Sequence, residues 1–117
     1  MKTVRAILSP EAETAYHSLK EGKEQSKTDQ SIWNAVNQKI ELIKQNVHYG
    51  KPVAKNLIPI EYKQRYGITN LFWVELPQFW RMPYTLTNSE NRAEIIAFIL
   101  DIMDHNQYNK KFGYRKR

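Results

Sequence analysis

The spacing of apolar residues divides the chain into a helical first part and a strand-rich second part. Residues 9–11, of sequence SPE, can begin a helix, since serine caps free N–H groups and proline suits the first helical position. Apolar residues then recur at helical spacing as far as Gly22. A second stripe with this spacing covers residues 32–47, and we expect Thr28 or Asp29 to cap its helix. Two helices joined by a short loop predict an antiparallel hairpin.

Short segments rich in aromatic and β-branched residues predict strands in the remainder of the chain and at its start. Residues 3–8 form the first such segment, and residues 71–76 and 79–87 form two more. Residues 93–103 are an almost continuous apolar run that fits a helix or a strand. Its β-branched content and its place after a turn favour a central strand buried on both faces. Pro83 has no backbone donor, so we expect it at a bulge or where the ladder needs no N–H.

This order of elements predicts an α+β fold in one domain covering residues 1–117. The expected order is β-α-α-β-β-β, with a mainly antiparallel sheet and the N-terminal helical hairpin packed on one face. Residues 53–70 have no regular period, and Pro59 and Gly67 interrupt them, so they predict an irregular connection. The residues after position 103 are polar, aromatic and basic, and no helix or strand is predicted for them.

Composition narrows the classes of partner and site. The chain has 117 residues, a net charge of +6 and no cysteine, which excludes disulfides, iron–sulfur clusters and thiolate zinc sites. The longest unbroken apolar run, residues 95–100, is too short to cross a bilayer, and we expect a cytoplasmic protein without a membrane partner. The positive charge favours a polyanionic partner, nucleic acid first, although an acidic protein fits it equally well.

Three local patterns resemble toxins of the RelE/ParE superfamily. The sequence KNL at 55–57, followed by the strand at 71–76, resembles the family's passage from the second helix into the sheet. The sequence FWRMPYTL at 79–86 is similar to the family's YR-x-x-Y strand, whose arginine points into the active cleft. The sequence DHNQY at 104–108 follows the last predicted strand, where RelE-like toxins carry a basic residue and then an aromatic one.

The resemblance implies a metal-independent endoribonuclease that cleaves mRNA, associates with the ribosome and needs no small-molecule cofactor. It also implies a small antitoxin protein as partner. The chain departs from RelE proper at Phe72, Trp73 and Val74, which stand where that protein carries lysines implicated in catalysis. Some relatives use histidines for the acid–base work instead, and His105 makes that version available here.

Three residues are the candidate catalytic groups for attack by the RNA's own 2′-OH. Arg81 can hold the phosphate with its planar guanidinium, and the alternative is a surface arginine at the sheet edge. His105 suits acid–base work near neutral pH, although a histidine after a strand is often a turn or hydrogen-bonding residue. Tyr108 can stack on a base or donate a proton, or it can cover the end of the sheet.

A wider set of basic residues is predicted to contact the RNA backbone. Residues 110–117 interleave cations with Phe112 and Tyr114, as single-stranded RNA-binding surfaces do, and the alternative is a solvated basic tail. His17 and His48 have no partner at metal-ligand spacing, so no metal site is predicted. The predicted RNA-binding residues are Lys55, Lys110, Lys111, Arg115, Lys116 and Arg117.

Two functions from different classes remain open from the sequence. The first is the endoribonuclease described above. The second is a non-catalytic or ParE-like toxin that binds a protein target such as a topoisomerase, because ParE-like members share the fold without cutting RNA. Convergence of Arg81, His105 and Tyr108 on one cleft would favour the enzyme. A histidine that is buried or points away would favour the binding protein.

Overall fold

A computed structural model describes residues 3–90 and 93–113, which form an α+β fold around one mixed sheet of five strands. The strands are β1 (Thr3–Leu8), β2 (Lys51–Pro52), β3 (Phe72–Glu75), β4 (Arg81–Asn88) and β5 (Glu94–Ile99). The helices are α1 (Pro10–Gly22), α2 (Lys27–Gln45), α3 (Ile60–Tyr66) and α4 (His105–Phe112), with single 3₁₀ turns at Lys55–Leu57 and Pro77–Phe79. None of these helices has the length and apolar character that crossing a membrane requires.

The strands lie in the order β1-β5-β4-β3-β2. β1 pairs with β5 in parallel, whereas the other three neighbouring pairs are antiparallel, so the predicted mainly antiparallel sheet is confirmed. The predicted element order is incomplete, because it lacks β2, α3 and α4. β2 has two residues and α3 has seven, which is too short for a recognisable hydrophobic period, and α4 is mostly polar.

The N-cap residue of the first helix agrees with the sequence prediction, and that of the second helix does not. The buried Ser9 hydroxyl accepts the N–H of Ala12 at 3.0 Å and donates to the carbonyl of Leu100 at 2.6 Å, which fixes α1 to the sheet. The cap of α2 is Ser26, whose hydroxyl accepts the N–H of Asp29 at 3.1 Å. The expected caps, Thr28 and Asp29, are wrong because Ser26 reaches the free N–H groups one turn earlier.

The hairpin packs on one face of the sheet, as predicted, and forms the first of two hydrophobic cores. Apolar residues of α1 and α2 meet alternate residues of β3, β4 and β5, since every second side chain of a strand points to the same face. The fully buried members of this core include Ala12, Ile32, Val36, Ile43, Met82, Tyr84, Ala97 and Ile99.

The second core covers the opposite face and was not predicted from the sequence. It brings α3 and α4 together against the sheet and the segment that follows β5. Its buried residues are Ile58, Tyr62, Leu71, Leu100, Met103, Tyr108 and Phe112. Residues 105–112 are therefore a packed helix, where no helix or strand was predicted from the sequence. This helix supplies one wall of the candidate site.

The predicted strand at 93–103 is confirmed over β5, which lies between β1 and β4. Tyr84 pairs with Ile99, and Arg81 pairs with Met103, so three residues of the segment after β5 oppose two residues of β4. One extra residue at this point is a bulge. Pro83 lies opposite it, as expected, and its carbonyl accepts the N–H of Leu100 at 2.9 Å.

Candidate nucleic-acid interface

The most distinctive arrangement on the α4 side of the sheet is a guanidinium in contact with two aromatic rings. Arg81 is the first residue of β4, and its guanidinium carbon lies 4.2 Å from the ring centroid of Trp73 and 4.5 Å from that of Tyr108. The two ring centroids are 6.3 Å apart and their planes are tilted by 54°, so the rings lie side by side around the cation, and we call these three side chains the Arg81 stack. A cation over an aromatic face is stabilised by about 0.5–1 kcal/mol when exposed and by about 2 kcal/mol or more when desolvated, so the two contacts hold the guanidinium in position.

Strand alternation and helix packing build this stack. Glu75 pairs with Arg81 and Val74 with Met82 in the antiparallel β3–β4 ladder. Because Val74 and Met82 belong to the core under the hairpin, Trp73 and Arg81 point to the other face. α4 crosses that face and supplies Tyr108, so three separate elements meet at the guanidinium.

The guanidinium has no carboxylate partner. Within residues 3–90 and 93–113 it forms no ion pair and no hydrogen bond, although Glu75 is its neighbour across the ladder. By contrast, Arg5 pairs with Glu94 and Arg65 pairs with Glu11. Arg81 is half-buried, and its donors remain available for a ligand. A planar fork of N–H donors matches the oxygens of a phosphate or a carboxylate.

A basic and aromatic groove of about 240 Å³ adjoins the stack. The Nζ of Lys51 lies 5.1 Å from the ring centroid of Trp73, on β2 beside β3. The Nζ of Lys39 donates to the hydroxyl of Tyr49 at 2.9 Å. Glu75 is the acidic residue of the lining. Surfaces that bind single-stranded nucleic acid combine cations, which contact the backbone, with aromatic rings, on which the bases stack.

Sequence reasoning placed Arg81 in the site and missed other members of this surface. Trp73 was considered only for the lysine that it replaces, and Lys39 was not among the candidate residues. Both positions depend on which strand lies beside which, and no local signal encodes that. The cross-strand pairing of Trp73 with Pro83 brings the indole beside Arg81.

Tyr108 is brought to Arg81 as predicted, in a different role from the one expected. The residue is 1% exposed, its ring stacks on Phe112 at 4.3 Å, and Arg81 lies over it. The ring is therefore covered, and the predicted stacking of Tyr108 on an RNA base is not available in this arrangement. Its position supports the guanidinium instead.

His105 is exposed and lies at the first position of α4. Its Nε2 is 3.1 Å from the side-chain nitrogen of Asn109, and its ring centroid is 6.1 Å from that of Phe79. Among the described residues, no hydrogen bond, ion pair or ring contact joins His105 to Arg81 or to Tyr108. The neighbouring Asp104 caps α4 by accepting the N–H of Gln107 at 2.9 Å, so its carboxylate serves the helix.

Lys111 has carboxylate partners instead of a free ammonium group. Its Nζ lies 3.1 Å from Glu61 and 3.4 Å from Asp101, and 5.3 Å from the ring centroid of Tyr62. Burial acts to lower the pKa of Lys111, but Asp101 and Glu61 raise it above its ordinary value. Lys111 thus belongs to an ion-pair network between α3 and α4, in which Glu61 and Asp101 balance its charge.

The other predicted RNA-binding residues have separate positions. Lys110 is exposed in the last turn of α4, and Lys55 is exposed in the 3₁₀ turn before α3. No contact connects either of them to the Arg81 stack in the described part of the chain. Arg115, Lys116 and Arg117 lie outside the described residues.

A buried polar network fixes α3 and α4 at the bulge, and sequence reasoning did not predict it. The hydroxyl of Tyr62 donates to Oδ2 of Asp101 at 2.5 Å, and both residues are at least nine-tenths buried. Burial raises the pKa of Asp101, although Tyr62 and Lys111 act to lower it. Burial and the Asp101 charge raise the pKa of Tyr62, so its hydroxyl stays protonated and donates. The network holds the helix that carries Tyr108.

A wider cleft of about 680 Å³ lies between α1 and the segment after β5. The charged residues that line it are Glu11, Asp29 and Asp101, all of them acidic. Their charges repel a phosphate backbone. Despite its larger volume, this cleft is a poorer candidate for RNA than the surface around Arg81.

Comparisons with known proteins assign the chain to no family. No protein-family model, no curated protein and no solved structure matches it. The part of the chain that the structure describes also contains no group of three histidine, aspartate or glutamate side chains that could hold a metal ion. The candidate site is defined by its own geometry: a guanidinium that contacts two aromatic rings, and has no carboxylate partner among the described residues, lies beside a basic and aromatic groove.

Proposed function

We propose that this chain is a toxin of the RelE/ParE type that acts on RNA in the cytoplasm as a metal-independent endoribonuclease of ribosome-bound mRNA. The observation that carries the proposal is the guanidinium of Arg81, which contacts the rings of Trp73 and Tyr108 and has no carboxylate partner among the described residues. The order of the sequence patterns at 55–57, 79–86 and 104–108 supports the family assignment.

Arg81 would act on the phosphate that is cleaved. Attack by the 2′-OH places extra negative charge on the phosphate oxygens in the transition state, and a preorganised cation stabilises that charge. The two rings hold the guanidinium in place before substrate arrives, so little reorganisation is needed. Loss of one such group typically lowers the rate by about a hundredfold or more.

His105 would supply the acid–base step, since histidine is the side chain most often used for proton transfer near neutral pH. It is solvent-exposed on α4, one helical turn before Tyr108, on which Arg81 stacks. In this proposal the RNA strand binds between the imidazole and the guanidinium, so that both side chains contact the same phosphate group. The exposed imidazole is free to take the 2′-OH proton or to protonate the leaving 5′ oxygen.

One observation favours the alternative, a non-catalytic or ParE-like toxin that binds a protein such as a topoisomerase. No contact joins His105 to the Arg81 stack in the described residues, and Asp104 is occupied by the helix cap. In that function Arg81 would bind a carboxylate of the target instead of a phosphate. The chain would then arrest growth without cutting RNA.

The experiment is induction of the chain in cells, with growth recorded and mRNA 5′ ends mapped. The endoribonuclease predicts growth arrest with new 5′ ends, and both are lost in Arg81→Ala and in His105→Ala. Lys20→Ala, which removes an exposed charge from α1 on the other face of the sheet, should behave as wild type. Growth arrest without new 5′ ends would refute the nuclease and support the protein-binding alternative.

A small antitoxin is the proposed protein partner. The net charge of +6 suits an inhibitor with an acidic segment, because opposite charges steer the two chains together. Purification from the native host should recover the chain with a small acidic protein whose neighbouring gene suppresses the growth arrest. Recovery of the chain alone, with no neutralising neighbour, would contradict this.

A further inference from the structure

The loop between β3 and β4 holds an aromatic side chain in solvent at a cost in backbone energy. Gln78 and Phe79 have φ values of 61° and 63°, in the left-handed region that glycine or asparagine normally occupies. For a bulky residue such as phenylalanine this conformation is an outlier. Phe79 is also 77% exposed, the highest value among the exposed large hydrophobic residues of the described chain.

Neither feature stabilises the fold. The N–H of Leu76 donates to the carbonyl of Trp80 at 2.9 Å, and that backbone bond closes the loop whatever side chain stands at position 79. A glycine there would adopt the same conformation without strain, and an exposed ring gains nothing from burial. Strained residues of this kind cluster at binding sites, where the conformation presents a side chain to a ligand.

Phe79 stands beside the Arg81 stack on the same side of the sheet. Trp80 packs on the core under the hairpin, so the next residue, Arg81, points to the other face, towards α4. The ring of Phe79 lies 6.1 Å from that of His105, at an angle of 60°. Two residues of extended chain span at most about 7 Å, so Phe79 and Arg81 can contact adjacent parts of one strand.

We propose that Phe79, with the edge of His105 beside it, is a stacking platform for an unpaired base of single-stranded RNA. The inference rests on the proposed RNA function and adds the base-binding position that the covered ring of Tyr108 cannot supply. An exposed aromatic ring beside an unpaired cation is the pairing that single-stranded RNA uses, with the base on the ring and the phosphate on the cation.

The test compares oligouridine with the same strand annealed to oligoadenosine, using wild type, Phe79→Leu and Phe79→Trp. Phe79→Leu should weaken binding of the single strand by about 5-fold to 150-fold, the range that base–aromatic stacking supplies. Duplex binding should not change, because paired bases are not available. Phe79→Trp should bind the single strand at least as tightly as wild type. Ile60→Ala, which trims another exposed apolar side chain, is the matched control and should have no effect.

The outcomes separate this inference from the function on which it rests. Unchanged oligouridine binding by Phe79→Leu, while Arg81→Gln weakens it, overturns the stacking platform alone. An equal loss for single strand and duplex overturns it as well. Failure of the wild-type chain to bind either RNA removes both proposals. Lost growth arrest in Phe79→Leu with unchanged RNA affinity would overturn the platform and assign Phe79 to a protein partner.

Discussion

Replacement of Tyr62 by phenylalanine tests the buried network that holds α4, and with it Tyr108, against the sheet. The hydroxyl of Tyr62 donates to Asp101 at 2.5 Å, and the residues are 2% and 7% exposed. Phenylalanine keeps the ring and its packing against Phe112 but removes the donor. Among the side chains that the structure describes, Asp101 then keeps its contact with Lys111, at 3.4 Å. The substitution therefore isolates one hydrogen bond to a buried carboxylate.

The expected loss depends on the charge of Asp101. A hydrogen bond to an ionised group contributes about 1.5–3 kcal/mol to stability, and a neutral one contributes about 0.5–1.5 kcal/mol. Where Asp101 is ionised, Tyr62→Phe should lower the free energy of unfolding by about 2 kcal/mol. As the pH falls and Asp101 takes up a proton, the loss should shrink to about 1 kcal/mol.

The assay is urea unfolding of both proteins over a pH series from 7 to 4. Tyr49→Phe is the matched control, since that hydroxyl is exposed and bonds to Lys39, and its removal should have little effect at any pH. A loss for Tyr62→Phe that is the same at pH 7 and pH 4, or no greater than that of the control, would refute the charged hydrogen bond.

Three further predictions concern the network, the stack and the strained loop. Because burial raises the pKa of Asp101, its contribution to stability is full below pH 3.8 and is lost as the pH rises through the folded-state pKa. As the pH rises above 3.8, the free energy of unfolding of wild type should therefore fall relative to that of Asp101→Asn. A difference between the two proteins that does not change with pH would contradict this prediction. Trp73→Leu should lower stability by about 0.5–2 kcal/mol and weaken RNA binding, since Arg81 loses one ring; unchanged values for both would contradict the stack. Gln78→Gly should raise the melting temperature by relieving left-handed strain while RNA binding persists, and a lower melting temperature would contradict the strain.

The parts of the fold that the sequence predicts are those with a local signal. A serine and a proline mark the start of α1, and a long apolar stripe marks α2. The strands rich in aromatic and β-branched residues were also predicted, and Pro83 was expected at the bulge. α4 was missed because only Tyr108 and Phe112 face the core in eight residues, while the others are polar or basic. A helix this short is stabilised by tertiary packing, which the spacing of its apolar residues does not reveal.

The candidate site was predictable only where one residue carries its own chemical signal. Arg81 stands out because an arginine among aromatic residues of a strand is not needed for packing. Trp73 could not be placed beside it without the register of β3 and β4. Lys111 looked like part of a basic run, yet Asp101 and Glu61 neutralise it from elements far away in sequence. Partners that meet only in the fold determine which charges remain free.

The most direct test of the central claim is equilibrium binding of oligouridine by wild type and Arg81→Gln over a series of salt concentrations. The stacked guanidinium predicts binding by wild type that weakens with salt, and an affinity for Arg81→Gln that is lower by about 10-fold to 150-fold. Removal of one phosphate contact should also reduce the slope of log affinity against log salt by about 0.7. Equal affinity and equal slope for the two proteins would contradict the claim that Arg81 binds the RNA backbone.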